Sequence, residues 1–583
     1  MRFCLHELGL IERAAALPGY QETGADLVDA ILEESGKFAA EILAPINHTG
    51  DSEGSVLENG KVRTPTGFAE AYKGFVESGW ASLPFNPDHG GQGLPWVVAA
   101  ATQEMWLSAN TAWSLCQVLT TGAVELLEEH GTEEQKAIYL EKLISGQWPG
   151  TMNLTEPQAG SDLGALRCKA EPSGDHFKIS GQKIFITYGD HDMAENIVHF
   201  VLARTPNAPE GPKGISLFIV PKILVNADGD LGTRNDLRCL SLEEKLGIHG
   251  SPTCVMSYGD NGGDSNSNDG GATAYLVGEE NQGLATMFTM MNCARLNIGI
   301  SGLAIAERAY QQARDYAKER VQFGPIIQHP DIRRMLMLMK SQIEAMRAVT
   351  YDAALALDSA KHHSDAEERA KAQARVDLLI PMVKAWCTDL GVEVSSLALQ
   401  VHGGAGFIED TGIAQHYRDA RIAPIYEGTN GIQALDLMRR KILRDNGQSM
   451  AAFITEAIAN LEPIEKNGPE AARPIAGAAR EALGALSVTT EWVLKNASSD
   501  LTPALAGASA YLRLFGTVAG SFMHARAAAI AADHKSQGES EFYAAKLASA
   551  QFYIEHILPQ TAALAHSIQN GHQSVMALTD DQF

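Results

Sequence analysis

The sequence predicts a mainly α protein with a central antiparallel β domain: a helical domain, a β-barrel-like domain, a helical bundle and a C-terminal helical extension. Three observations carry this reading. Apolar residues recur at three- and four-residue spacing before residue 150 and again after Gly283, the period of an amphipathic helix. Between 151 and 275 the pattern changes to short β-type runs separated by Gly, Pro, Asn and Asp. After "RDNGQ" the chain turns alanine-rich and stays helical in pattern. The resulting divisions are 1–150, 151–280, 281–445 and 446–583, in keeping with the several packed units expected of 583 residues.

In the first division, "ADLVDAILEESGKFAAEIL" predicts a helix with one buried stripe of Leu27, Ile31, Phe38 and Ile42. Gly131 closes "AVELLEEHG", and Thr132 with Gln135 forms a capping box for the next helix. That helix carries Ile138, Leu140, Leu143 and Ile144 on its apolar face and runs out at Gly146. The runs "HFKIS", "KIFIT", "NIVHFVLA" and "GISLFIV" predict the strands of the β domain. The polar, glycine-rich stretch at 260–271 reads as a loop between strands; it lacks the spacing and final Glu of an EF-hand. A long helical pattern starts after Gly283, and similar segments follow through about 440. Helices, then strands, then helices do not make a doubly wound nucleotide fold, and neither GxGxxG after a strand nor GxxxxGK[ST] occurs.

With 45% apolar and 20% charged residues the composition is that of a soluble globular protein. No apolar run is long enough to span a bilayer, and "MRFCLHELGLIERAAALPGY" mixes charges into its apolar residues, unlike a signal peptide. A net charge of −25 disfavours unspecific attraction to nucleic acid or anionic membrane. The seven cysteines are scattered singly, without zinc-ligand spacing or a disulfide framework, so reduced thiols in the cytoplasm and no metal are expected.

Several stretches carry chemistry. "MNLTEPQAGSDL" is a turn-forming segment whose Thr155, Ser161 and backbone N–H groups suit a flat polar ligand or phosphates. "GQKIFITYG" puts Phe185 and Thr187 on one face of a strand, an aromatic platform beside a hydroxyl. "ERVQFGPIIQHPDIRR" offers Arg320, Gln322 and Phe323, suited to a pyrophosphate and a nucleotide. "LQVHGGAGF" has glycines where backbone comes close to a partner. In "RIAPIYEGTNGIQALDL" a single carboxylate, Glu427, sits between Tyr426 and Gly428. Met287, Met290 and Met291 lie at helical spacing, the pattern of plain core; contact of their sulfurs with a thioether chain is the sharper reading.

In their order along the chain these stretches resemble the TEPxAGSD, K-x-[WF]-I-T, R-x-x-F-G, Q-x-x-G-G-x-G and Y-E-G-T motifs of the acyl-CoA dehydrogenase family, with matches to about residue 440. The resemblance implies FAD held among a helical, a β and a second helical domain. Glu427 matches the base that removes the α-proton of an acyl-CoA thioester; the branch of the family that places its base before the CoA-site arginine has here Ala294. Met152, Asn153, Leu154, Thr155, Ser161, Phe185 and Thr187 match positions lining the flavin. Arg320, Gln322 and Phe323, with Gln400, Gly403 and Gly404, match flavin-nucleotide contacts across a subunit interface, which implies a homodimer or higher; Thr429 and Gly431 match a further flavin contact. Asn292 and Arg295 match the D-x-x-R site of the CoA portion, with Asn in place of Asp, and Ser161, Tyr426 and Gly428 complete the implied substrate contacts. The segment "RVQFGPIIQHP" is one residue shorter than the family's pattern.

The physical reading of Glu427 agrees with that role. A carboxylate walled by aromatic and flavin surface loses hydration, becomes a stronger base and is served by small residues that let backbone approach a ligand. The family's thioester oxygen is bound by the base's own backbone N–H and a ribityl hydroxyl, and the β-hydride goes to flavin N5. The C-terminal extension is similar to that of the branch containing 3-methylthiopropionyl-CoA dehydrogenases and enzymes for ordinary saturated acyl-CoAs. An electron-transfer flavoprotein is the implied acceptor. An acyl-CoA oxidase is the alternative chemistry, and a DNA-binding flavoprotein of this fold is opposed by the acidic balance and by Glu427.

Overall fold

The structure, a computed structural model, describes residues 1–226, 228–260, 270–536 and 541–583. It divides into two compact units. One comprises Met1–Leu32, Pro95–Glu104 and Ile298–Phe583; the other comprises Glu33–Leu94 and Met105–Asn297. Most of the loop expected at 260–271 lies outside the described residues.

The Glu33–Asn297 unit joins helices to the sheet. Its helical core is aromatic: Phe75 meets Trp106 at 4.9 Å and Trp113 at 5.3 Å, both edge-on, the geometry that ring quadrupoles favour. Helix α1 (Thr111–His130) starts where the Asn110 side chain accepts the Trp113 N–H, and Gly131 follows its end. The expected capping box forms in full between Thr132 and Gln135. Leu140, Leu143 and Ile144 are buried behind it and Ile138 is half-buried, and the chain turns at Gly146 with φ 79°.

Two expectations need correction here. The 25–43 segment buries Val28, Leu32, Ser35, Ala39 and Leu43, whereas Leu27 and Ile42 are exposed. Apolar residues come in adjacent pairs there, so two stripes one residue apart satisfy the same period. The first 150 residues are also not wholly helical, because β1 (Val56–Glu58) and β2 (Lys61–Arg63) pair as a hairpin across Asn59 and Gly60, both with positive φ.

The main sheet has the order β10–β11–β5–β12–β7–β6–β3, with β4 on β5. Its strands are β3 (Gly150–Asn153), β4 (Lys169–Ser173), β5 (His176–Thr187), β6 (Val198–Ala203), β7 (Ser216–Pro221), β10 (Leu237–Leu242), β11 (Thr253–Tyr258) and β12 (Ala272–Val277). A separate pair is formed by β8 (Ile223–Val225) and β9 (Leu231–Arg234). The expected antiparallel pattern holds except at the edge, where β3 pairs with β6 in parallel. Every residue of β6 and β7 is buried, which explains their unbroken apolar runs. "HFKIS" and "KIFIT" prove to be one strand, β5, continuous through Gly181.

Helix α2 (Gly283–Glu319) contains the division between the units and continues into the Ile298–Phe583 unit. There it meets α3 (Pro330–His362) and α4 (Ala366–His402), and these two pack with α6 (Ala508–Ser536), the long C-terminal helix, while α5 (Asn430–Asp436) lies against α4 and α6. Helix α3 opens with Pro330 in its first turn, and α4 opens where Asp365 accepts the Glu367 N–H. Helices α2 and α4 meet backbone to backbone: a Cβ on Gly302 would lie 2.5 Å from the Cys387 carbonyl oxygen, and one on Gly391 would lie 2.8 Å from the Gly302 carbonyl oxygen. Helix α6 meets α4 equally closely, since a Cβ on Gly516 would lie 2.5 Å from the Trp386 ring. Glu104 is buried against Arg347 (2.6 and 2.9 Å) and the Tyr351 hydroxyl (2.6 Å), tying 95–104 to α3. No helix among the described residues is long and apolar enough to cross a membrane.

Gly302→Ala is expected to cost about 1–3 kcal/mol by overpacking the α2–α4 contact. Gly484→Ala, in a helix where a Cβ meets nothing within 4 Å, is expected to gain about 0.5–1 kcal/mol. Urea unfolding of both variants checks the pair; equal shifts would refute the contact as the cause.

Candidate active site

In the Glu33–Asn297 unit the "MNLTEP" and "KIFIT" stretches come together. Strand β3 ends in Asn153, and the backbone continues through Leu154 and Thr155 into the turn where Glu156 and Ala159 exchange backbone hydrogen bonds (2.9 and 3.0 Å). Lys183, 0% exposed, donates from Nζ to the Leu154 carbonyl (2.9 Å) and to Glu156 Oε1 (2.8 Å). The Ile184 N–H donates to the Thr155 carbonyl (2.9 Å). Glu156 also accepts from the Arg167 N–H (2.6 Å) and the Cys168 N–H (3.0 Å). Burial pushes the Glu156 carboxyl up, but the Lys183 ammonium and these donors outweigh it and hold the group at about 2. Glu156 is therefore the anchor of this turn.

Of the flavin positions expected here, Met152 and Thr155 are half-buried and Ser161 is exposed. Asn153 is buried and its side chain is spent: it donates to Thr151 Oγ1 (2.8 Å) and accepts from the Tyr258 hydroxyl (2.8 Å). Leu154 is buried with its carbonyl on Lys183, so these two residues offer backbone alone. Phe185 is 57% exposed at φ 60°, where β5 carries one extra residue between Lys183 and Ile186 against β11. Thr187 follows, half-buried.

Near the start of α2, Asn292 and Arg295 stand about one turn apart, with Arg295 Nη1 donating to Asn292 Oδ1 (3.4 Å) and its guanidinium 5.7 Å from the Phe288 ring. Met287 and Met290 are fully buried, and Met290 lies against Gly122 of α1, which favours the plain-core reading of these methionines. Ala294 is buried too.

In the Ile298–Phe583 unit, Tyr316 stacks on His402 at 4.3 Å, bringing the end of α2 beside the end of α4. Arg320, Gln322 and Phe323 thus follow one end, and Gln400, Gly403 and Gly404 lie at the other; all are exposed. The Arg320, Gln322 and Gln400 side chains make no hydrogen bond among the described residues, and a Cβ on Gly403 or Gly404 would meet nothing within 4 Å.

Glu427 sits in a left-handed conformation (φ 59°), followed by Gly428 at φ 81°. Among the described non-glycine residues with positive φ, asparagines apart, three of the five are expected site residues: Phe185, Phe323 and Glu427. The Glu427 turn is pinned from several sides. Lys384 Nζ donates to the Gly428 carbonyl (2.8 Å) and to Asn430 Oδ1 (2.8 Å). Gln433 Nε2 donates to the Glu427 carbonyl (3.1 Å) and the Gly428 carbonyl (3.3 Å). Thr429 caps α5 by accepting the Ile432 N–H (3.2 Å), and exposed Gly431 stands in its first turn. Burial pushes the Tyr426 phenol up, against a hydrogen bond with Ser301, and the neighbouring Glu427 charge adds to the rise; the phenol stays neutral.

Lys183, Glu156, Lys384 and Gln433 were not among the residues the sequence singled out. Their signal was present: "LLIPMVKAWC" and "KIFIT" each set one lysine in an apolar stretch, and a buried charge has to be partnered.

Comparison with known proteins decides the family. Residues 28–147, 151–260 and 281–442 match the models described as acyl-CoA dehydrogenase N-terminal, middle and C-terminal domains, and 448–579 match "Acetyl-CoA dehydrogenase C-terminal like". The chain is 48% identical over 573 residues to the 3-methylmercaptopropionyl-CoA dehydrogenase of Ruegeria pomeroyi, covering 96% of this chain and 95% of that one. It belongs to the acyl-CoA dehydrogenase family. A butyryl-CoA dehydrogenase of Syntrophomonas wolfei is 34% identical over 96% of this chain and 94% of its own. Among solved structures, Caenorhabditis elegans ACDH-11 shares the fold with a TM-score of 0.74 at 21% identity, covering 97% of this chain and 95% of that one.

As a member of this family of flavoprotein oxidoreductases, the acyl-CoA dehydrogenase uses FAD. Its donor set fits the cofactor: unspent guanidinium and amide groups beside bare glycine backbone for a nucleotide, and an exposed aromatic beside a hydroxyl for a flat ring.

Because Glu156 titrates at about 2 in the folded protein and near 4.3 when unfolded, its stabilisation is present above about 4.3 and is lost as pH falls from there toward 2. Glu156→Gln is expected to flatten the loss of stability over that window. Lys183→Met, which strands a buried carboxylate, is expected to cost about 3–5 kcal/mol at neutral pH. Urea unfolding as a function of pH reads both; an unchanged pH slope in Glu156→Gln would refute the linkage.

Proposed function

We propose that this acyl-CoA dehydrogenase oxidises 3-methylthiopropionyl-CoA to its trans-2-enoyl thioester, with Glu427 as the base. The observation that carries the assignment of the base is the left-handed turn at Glu427, held by Lys384 and Gln433 in a segment of small residues. The substrate rests on the 48% identity to the Ruegeria pomeroyi enzyme over nearly the whole chain.

Arg295, with Asn292, holds the CoA portion, and Ser161, Tyr426 and Gly428 line the path of the thioester. The Glu427 backbone N–H donates to the thioester oxygen as negative charge builds there, which makes the α-C–H acidic enough for a carboxylate to remove. The Glu427 carboxylate takes the α-proton, and the neutral Tyr426 phenol keeps a second negative charge away from it. FAD supplies the hydride acceptor for the β-C–H bond. Met152 to Thr155, Ser161, Phe185 and Thr187 hold its ring, with Thr429 and Gly431 as a further contact. Arg320, Gln322 and Phe323, with Gln400, Gly403 and Gly404, serve the nucleotide of a second copy in a homodimer. An electron-transfer flavoprotein removes the electrons. None of the seven cysteines forms a disulfide, which suits the reducing cytoplasm in which we place the enzyme.

Anaerobic titration of the yellow protein tests this reading. 3-Methylthiopropionyl-CoA is expected to bleach the flavin faster than butyryl-CoA or a long-chain thioester, and Glu427→Gln to slow bleaching by about 10³-fold. Faster bleaching by butyryl-CoA would move the substrate to ordinary short-chain thioesters, as the 34% identical relative suggests. Full bleaching in the variant would remove Glu427 from the role, and peroxide formed at the turnover rate in air would make the enzyme an oxidase.

A further inference from the structure

A residue with a Cβ in the left-handed region carries about 1–2 kcal/mol of strain, so its surroundings must overdetermine it. Glu427 is such a residue, and Gly428, which has no Cβ to strain, follows it at positive φ. The peptide group after Gly428 is held by an ammonium: Lys384 Nζ lies 2.8 Å from the Gly428 carbonyl oxygen. Lys384 is 0% exposed, inside α4, and an ammonium there is tolerated only because oxygens replace its lost water.

The same ammonium donates to Asn430 Oδ1 (2.8 Å), and Asn430 Nδ2 donates back to α4 at the Ala385 carbonyl (3.1 Å) and Asp389 Oδ1 (2.7 Å). The turn is thus clamped on both sides of Thr429 to one stretch of α4. Gln433 holds the Glu427 and Gly428 carbonyls from α5. Rotation of the peptide after Gly428, which would let the Glu427 turn relax and swing its carboxylate, has to break the charge-assisted bond from Lys384, the stronger kind of hydrogen bond.

We propose that Lys384 is the positioning residue of the Glu427 base: it touches neither substrate nor cofactor and sets where the carboxylate points by holding the Gly428 carbonyl. The proposal rests on Glu427 being the base. Removing Lys384 releases the turn toward ordinary backbone angles and misplaces the carboxylate by an amount that costs about 10²-fold in rate.

The test isolates the base from the hydride step. Acetyl-CoA has α-hydrogens and no β-hydrogens, so its exchange with deuterium oxide, followed by NMR on the FAD-loaded enzyme, reads proton abstraction alone. Variants K384M, N430S and E427Q are compared, with flavin content, thermal midpoint and the KM for a full substrate measured on each. The expected result is loss of exchange in E427Q, a fall of about 10²-fold in K384M with KM unchanged, and a smaller fall in N430S. Wild-type exchange in folded, flavin-loaded K384M, with E427Q inactive, would overturn the proposal alone. Should K384M fail to fold, wild-type exchange in N430S overturns it instead. Wild-type exchange in E427Q removes the base and the proposal together.

Discussion

An ammonium group taken out of water must find oxygen partners, and in each compact unit a buried lysine finds them on the backbone of a site loop. Lys183 donates to the Leu154 carbonyl in the turn we propose lines the flavin, and Lys384 donates to the Gly428 carbonyl beside Glu427. Both side chains are 0% exposed. Neither loop has the regular hydrogen bonding of a helix or strand at that point, so its shape has to be imposed from outside. A buried charge does so with more force than a neutral donor, because leaving it unpartnered costs more than the strain it maintains.

Each lysine also draws further groups into its network. Lys183 has a full counter-ion in Glu156, which two backbone N–H groups also hold. Lys384 meets a carbonyl and an amide oxygen, and the amide in turn reaches Asp389.

Much of this was legible in the sequence. Order of elements, the capping box at Thr132 and Gln135, the strands of the β domain and the motif stretches follow from local spacing, and local spacing is what a sequence displays. The stripe at 25–43 was misplaced by one residue because adjacent apolar pairs offer two equivalent faces, and only the packing partner chooses. The parallel β3–β6 pair joins segments far apart in the chain, which periodicity does not register. For the same reason motifs displayed Glu427 but not its holders: Lys384 is tied to Gly428 across 44 positions. A lone lysine in an apolar helix announces that a partner exists without naming it.

The bare surface of α6 at Gly516 has a consequence for the history of the chain. Its contact with the Trp386 ring leaves no room for a single methyl group, so the C-terminal stretch and the helix that carries Lys384 are fitted to one another atom by atom. Such an extension is not an ornament that can be shed gradually. A lineage that lost it would uncover a tryptophan two residues from Lys384, and a lineage acquiring it would have to gain the ring and its recess together. Any side chain at position 516 would therefore have to displace the Trp386 ring, and with it the part of α4 next to Lys384.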